Sequence, residues 1–139
     1  MDSPQISGNT ISFPPQEKFL ASVDEFVEGF LKRHVSDESV IADIAISVSE
    51  LVINAISHAG KKSPDKLIVV EIGKTNGEVK ISVSDQGVGF NPNAIDNPLA
   101  DENLLKETGR GIFIVRSLMD TINIETSKQG TTVTITKAI

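Results

Sequence analysis

The sequence predicts an α+β fold, a two-layer sandwich of a mixed, largely antiparallel sheet with helices on one face. Three observations carry this expectation. Two segments in the first half repeat apolar residues at helical spacing, later segments alternate with period two, and an Asn-Gly pair joins two of the alternating runs. A chain of 139 residues can bury a core of its own without staples, and a single domain over 1–139 is expected.

The elements follow in order. Asn9–Phe13 alternates and stops at Pro14-Pro15, which reads as an edge strand. Between Gln16 and His34, residues such as Phe19, Val23, Phe26, Val27 and Phe30 gather on one helical face. Ser36 or Asp37 caps a second helix that runs to about Ala59, with Gly60 as its stop. Leu67–Gly73 and Val79–Asp85 are strands joined by Thr75-Asn76-Gly77-Glu78, a strong hairpin signal. From Gln86 to Thr108 no period survives, and so long a loop in a small domain is usually functional or disordered. Gly111–Asp120 is a short helix, and Ile122–Thr126 and Thr131–Lys137 are strands around a Lys128-Gln129-Gly130 turn.

Composition removes whole classes of chemistry. Thirteen Lys+Arg against nineteen Asp+Glu give a net charge of −6, and no basic run offers a footprint for nucleic acid. The absence of cysteine excludes disulfides, thiolate zinc sites, iron–sulfur clusters and cysteine nucleophiles. With His34 and His58 as the only histidines, a histidine-built metal site is not expected. The start MDSPQISGNT has no secretory pattern, and no apolar run approaches the ~20 residues of a bilayer span. A soluble, cytoplasmic, acidic domain without a membrane partner is the expectation.

The polar residues of the second helix are not scattered. Asp43, Ser47, Glu50, Asn54, Ser57 and His58 fall within an arc of roughly 100°. Glu50, Asn54 and His58 stack at i, i+4 and i+8. Such an arc is either a solvent face or a set able to hold a hard cation and activate a hydroxyl. Helix geometry alone leaves both open.

Strand parity says more. Asp85 shares the face of Val79, Ile81 and Val83, so it points toward the helices, where a carboxylate is costly unless it finds donors. It caps a loop, or it accepts a ligand's N–H. Gln86-Gly87-Val88-Gly89 follows, and Gly109-Arg110-Gly111 opens into the next helix, whose first amides suit an anion. Neither cluster has the spacing of a P-loop or a dinucleotide fingerprint.

The ordered set Glu50-x-x-x-Asn54, Asp85-x-Gly87-x-Gly89, Gly109-x-Gly111 and Gly130-Thr131 resembles the gyrase, Hsp90, histidine-kinase and MutL ATPase superfamily. Within it, SELVINAISHA, SDQGVGFNP, GRGIFIVRSLMD and GTTVTITK are similar to the anti-sigma-factor serine-protein kinases of bacterial partner switching. The resemblance runs from about residue 11 to 137 and implies a Bergerat-type ATP-binding fold. It implies that Asn54 ligates Mg²⁺ and that Glu50 is the general base on a serine or threonine hydroxyl. Asp85 would accept the adenine amino group, with Thr131 supporting it from the same inward face. Gly87 and Gly89 would shape the base pocket, and Gly109, Arg110 and Gly111 would close on the phosphates. His58 falls among the nucleotide-binding residues, although Ala59-Gly60-Lys61-Lys62 lacks the aromatic that many relatives carry there. Residues 91–108 would form the ATP lid.

The function so implied is an ATP-dependent serine/threonine kinase and anti-sigma factor. It would bind MgATP, phosphorylate a STAS-type anti-anti-sigma protein, sequester a sigma factor and form a homodimer. The alternative is a non-catalytic switch in which nucleotide sets which partner is held, a sigma factor or another regulatory output. No phosphoacceptor helix hairpin is recognisable before residue 11, so a complete sensor histidine kinase is not expected.

Overall fold

Alternation along five of six strands turns one face of a sheet toward three helices in a computed structural model of the chain. The structure describes residues 3–62, 65–86, 102–127 and 130–139, excluding the side chains of 60–62 and 102–109. The strands are β1 (Gln5–Ser7), β2 (Thr10–Phe13), β3 (Ile68–Lys74), β4 (Glu78–Asp85), β5 (Thr121–Ser127) and β6 (Gly130–Ala138). Their spatial order is β1-β2-β3-β4-β6-β5, and every neighbouring pair is antiparallel. The sheet is therefore not mixed among the described strands. β4 and β5 run the same way, but β6 stands between them and pairs antiparallel with both.

The expected hairpin closes where Thr75 N–H donates to Glu78 O at 2.9 Å. β2, expected at the edge, has β1 outside it. The two are joined through Gly8, whose φ of +58° is a turn conformation that glycine adopts without strain. β1 is short and exposed along its whole length, which leaves little pattern for sequence to show.

A 3₁₀ turn at Glu17–Phe19 leads into α1 (Leu20–His34), which buries Val23, Val27, Phe30 and Leu31. Its last turn carries Lys32, Arg33 and His34, the favourable charge for a helix C-terminus. α2 (Glu38–Lys62) is capped by Asp37, whose Oδ1 accepts the N–H of Ser39 at 2.9 Å and of Val40 at 3.3 Å. It continues through Gly60 instead of stopping there. By length and composition this helix does reach the dimension of a bilayer span, contrary to the sequence expectation. Ile44, Val48, Leu51, Val52, Ala55 and Ile56 instead commit it to the core, against the inward residues of β3 and β4.

α3 (Glu102–Leu118) begins nine residues before the helix expected at Gly111. Leu104, Leu105, Lys106 and Glu107 are strong helix formers, enough to carry the helix through two glycines that cost about 1 kcal/mol each. At the far end of the sheet, Lys137 Nζ donates to Leu118 O at 2.6 Å and pairs with Asp43 at 3.4 Å. One β6 side chain thus ties the C-terminus of α3 to α2.

Candidate functional site

The polar arc of α2 is not its solvent face. Ser47 is fully buried, its Oγ donating to Asp43 O at 2.8 Å, while Glu50, Asn54, Ser57 and His58 are half-buried. The stripe most open to solvent holds Ala42, Ile46 and Ile53. A helix that exposes isoleucines and turns Glu and Asn inward has its polar groups aimed at something.

What they meet is α3. A Cβ built on Gly111 would stand 3.0 Å from Asn54 Nδ2 and 3.2 Å from Glu50 Oε2. The glycine lets the α3 backbone reach both side chains at once. The Asn54 Nδ2 atom is buried and has no hydrogen-bond partner among the described residues. A buried amide left unpaired costs about 1–3 kcal/mol, a burden typical of a group kept for a ligand.

Beyond Asn54 a narrow slot with a cavity volume of about 50 Å³ opens between helices and sheet. Its polar lining is Asn54 and His58 from α2, Asp85 from β4 and Thr131 from β6. Its apolar walls come from Leu51 and Ala55, Val83, Ile112, Ile124 and Val133. Asp85 and Thr131 are opposed in the β4–β6 register, and Thr131 N–H donates to Asp85 Oδ1 at 3.3 Å. Thr131 itself is 8% exposed. The inward parity read from both strands is realised. An apolar slot with a few converging polar groups is the usual form of a small-molecule site.

The remaining candidates divide. Gly87 and Gly89 lie outside the described residues, as do residues 91–101. Gly109, Arg110 and Gly111 do not open a helix: they lie inside α3, where backbone N–H groups serve carbonyls four residues back. Residues 102–108, expected to be irregular, are helical. Arg110 is exposed beside Gly111.

The model of the histidine kinase-like ATPase domain matches residues 13–137 of this chain. The chain belongs to that family. Among curated proteins, it is 32% identical over 139 residues to the serine-protein kinase RsbW of Staphylococcus epidermidis, covering 91% of this chain and 83% of that one. The RsbW of Staphylococcus aureus strain JH9 is 29% identical over 133 residues with the same coverage. The chain is thus of the RsbW serine-protein kinase type, an ATP-using serine/threonine kinase. Two solved structures share the fold. The RsbU and RsbW domains of Rv1364c from Mycobacterium tuberculosis superpose with a TM-score of 0.67 at 24% identity, over 92% of this chain and 30% of that one. The histidine kinase domain of the blue-light activated kinase EL346 from Erythrobacter litoralis gives 0.54 at 19%, over 96% and 69%.

For a histidine kinase-like ATPase, the pocket walls are the residues that sequence reading passed over. Val83 and Val133 share a face with Asp85 and Thr131 and were within reach of parity. Ile124 alternates with Ile122 along β5 and faces Val133, whereas nothing local marks Ile112 on α3. The two converge through the packing of α3 and β5.

Proposed function

We propose that this chain is an anti-sigma-factor kinase that binds MgATP in the pocket under α2 and phosphorylates a serine or threonine of a STAS-type anti-anti-sigma protein. The observation that carries this is the convergence of Asn54, Asp85 and Thr131 on one apolar slot, with Glu50 beside Asn54 under Gly111. That order of groups suits a nucleotide lying from base to phosphate. Adenine fits between Leu51, Val83, Ile112, Ile124 and Val133, which exclude water from its edge. The Asp85 carboxylate accepts the exocyclic N–H, oriented by the Thr131 amide. His58 lines the same slot.

Asn54 and Glu50 are side chains one turn apart whose oxygens suit a hard cation held by few protein ligands and by phosphate, and the uncommitted Asn54 Nδ2 is a donor that a phosphate oxygen can accept from. Bound there, Mg²⁺ would supply charge neutralisation on the phosphates. Among the described residues no group of three His, Cys, Asp or Glu forms a protein-only cage. Arg110, exposed next to Gly111, adds positive charge at that end. Glu50 takes the proton of the incoming hydroxyl, the hydroxyl oxygen bonds to the γ-phosphorus, and ADP leaves with the electrons of the broken bond. Residues 91–101, with the start of α3, form the lid of this reading, and Gly87 and Gly89 its base-pocket loop.

The regulatory part of the proposal is sequestration of a sigma factor by a cytoplasmic homodimer when the antagonist is phosphorylated, without direct contact to nucleic acid or membrane. Incubating the chain with MgATP and the candidate antagonist, with mass spectrometry of phosphosites, tests it. A phosphoserine or phosphothreonine that disappears with Glu50→Gln supports the kinase. Nucleotide-dependent partner capture without any phosphosite selects the binding switch, which the contact of α3 with Glu50 and Asn54 also suits.

A further inference from the structure

Gly130 opens β6 with φ of +151°, and an ideal Cβ there would collide with the Asp85 carbonyl oxygen. The same Cβ would stand 3.0 Å from the Asp85 carbonyl carbon and 3.1 Å from Gln86 Cα. These are backbone atoms, so no side-chain rotation relieves the clash. The strands would have to part. Antiparallel pairing does not by itself demand glycine, since Ala138 faces Glu78 at the other end of the same ladder. The demand is local to Asp85. The residue after Gly130 is Thr131, whose amide holds Asp85 Oδ1.

We infer that Gly130 is a positioning residue for base selection: its missing side chain lets β6 close on the Asp85 backbone, so that the Thr131 amide sets the rotation of the Asp85 carboxylate facing the pocket. The inference rests on the nucleotide reading above. Adding one methyl group moves the Thr131 donor away from Asp85, and a carboxylate turned from its position no longer distinguishes an amino group from a carbonyl on the purine.

The test compares ADP with IDP, which carries a 6-oxo group where adenine has an amino group, by calorimetric titration. Wild-type protein favours ADP. In Gly130→Ala that preference falls about tenfold or more, the scale of a hydrogen bond to a charged group, toward the ratio shown by Asp85→Asn. Gly8→Ala, at another positive φ but with open space around its Cβ, keeps the wild-type ratio and controls for backbone strain. Equal weakening of both nucleotides in Gly130→Ala, or an unchanged ratio, overturns the inference. If Gly130→Ala does not fold, NMR of the wild-type chain decides. The Thr131 amide proton must shift as the Asp85 carboxylate titrates and lose that shift in Asp85→Asn, and an amide insensitive to both overturns the positioning role. A wild-type chain that binds neither nucleotide overturns the nucleotide reading itself, and equal wild-type affinity for both removes Asp85 from base selection.

Discussion

Gly111 of α3 lies so close to Asn54 of α2 that a methyl group on the glycine would stand 3.0 Å from the Asn54 amide nitrogen. The contact brings two helices distant in sequence onto the same pair of polar side chains, because Glu50 Oε2 is 3.2 Å from the same point. Replacing Gly111 by Ala should raise helix propensity by about 1 kcal/mol while displacing the ends of Asn54 and Glu50. The expected result is a phosphotransfer rate reduced more than about tenfold with a melting temperature that does not fall. Equal rates for variant and wild type would show that the contact has no part in activity.

Glu50→Gln keeps the shape of the side chain and removes the base. Phosphotransfer should fall by about 10²–10⁴-fold, while the dissociation constant for ADP changes little. Parallel loss of both would reject the general-base assignment.

Asn54→Ala removes a buried amide donor that has no partner among the described residues. The unpaired group costs about 1–3 kcal/mol, which offsets the packing lost with it. Stability to denaturant should therefore hold or rise by about 1 kcal/mol, while the gain in nucleotide affinity on adding Mg²⁺ disappears. A large drop in stability would mark Asn54 as a structural residue.

Asp24 on α1 is half-buried, and burial first, then the negative charge of Glu28, raises its carboxyl above the ordinary value of 3.8. A folded state that holds this proton more tightly than the unfolded chain gains stability from it in acid. That stability is full below the unfolded value and is lost as pH rises through the raised one. Asp24→Asn should stabilise the protein at pH 7, by less than about 1 kcal/mol because solvent screens the group. The difference should vanish below about pH 3.5, which denaturation at the two pH values measures directly.

Asp37 accepts two amides at the start of α2. Asp37→Ala should lower stability by about 1 kcal/mol, a fall of roughly 3 °C in melting temperature. Nucleotide affinity should stay constant, because the cap lies at the opposite end of α2 from the pocket.

Much of the site is legible in the sequence alone. Period-two alternation places Asp85 and Thr131 inward because strand geometry leaves each side chain only two directions. Helical periodicity places Glu50, Asn54 and His58 on one side of α2, but a helix read alone does not say which side meets solvent. α3 decides that, by covering Glu50 and Asn54 and leaving Ile46 and Ile53 exposed.

The sequence by itself determined the elements whose signals are local: the two long helices, the Asn-Gly hairpin, the parity of β4 and β6, and the motifs that carry the family resemblance. Only the tertiary structure set β6 between β4 and β5. It alone brought Ile112 and Ile124 to the pocket and pressed Gly130 against the Asp85 backbone. Each of these depends on groups far apart in the chain meeting in space, and local propensity holds no record of such meetings.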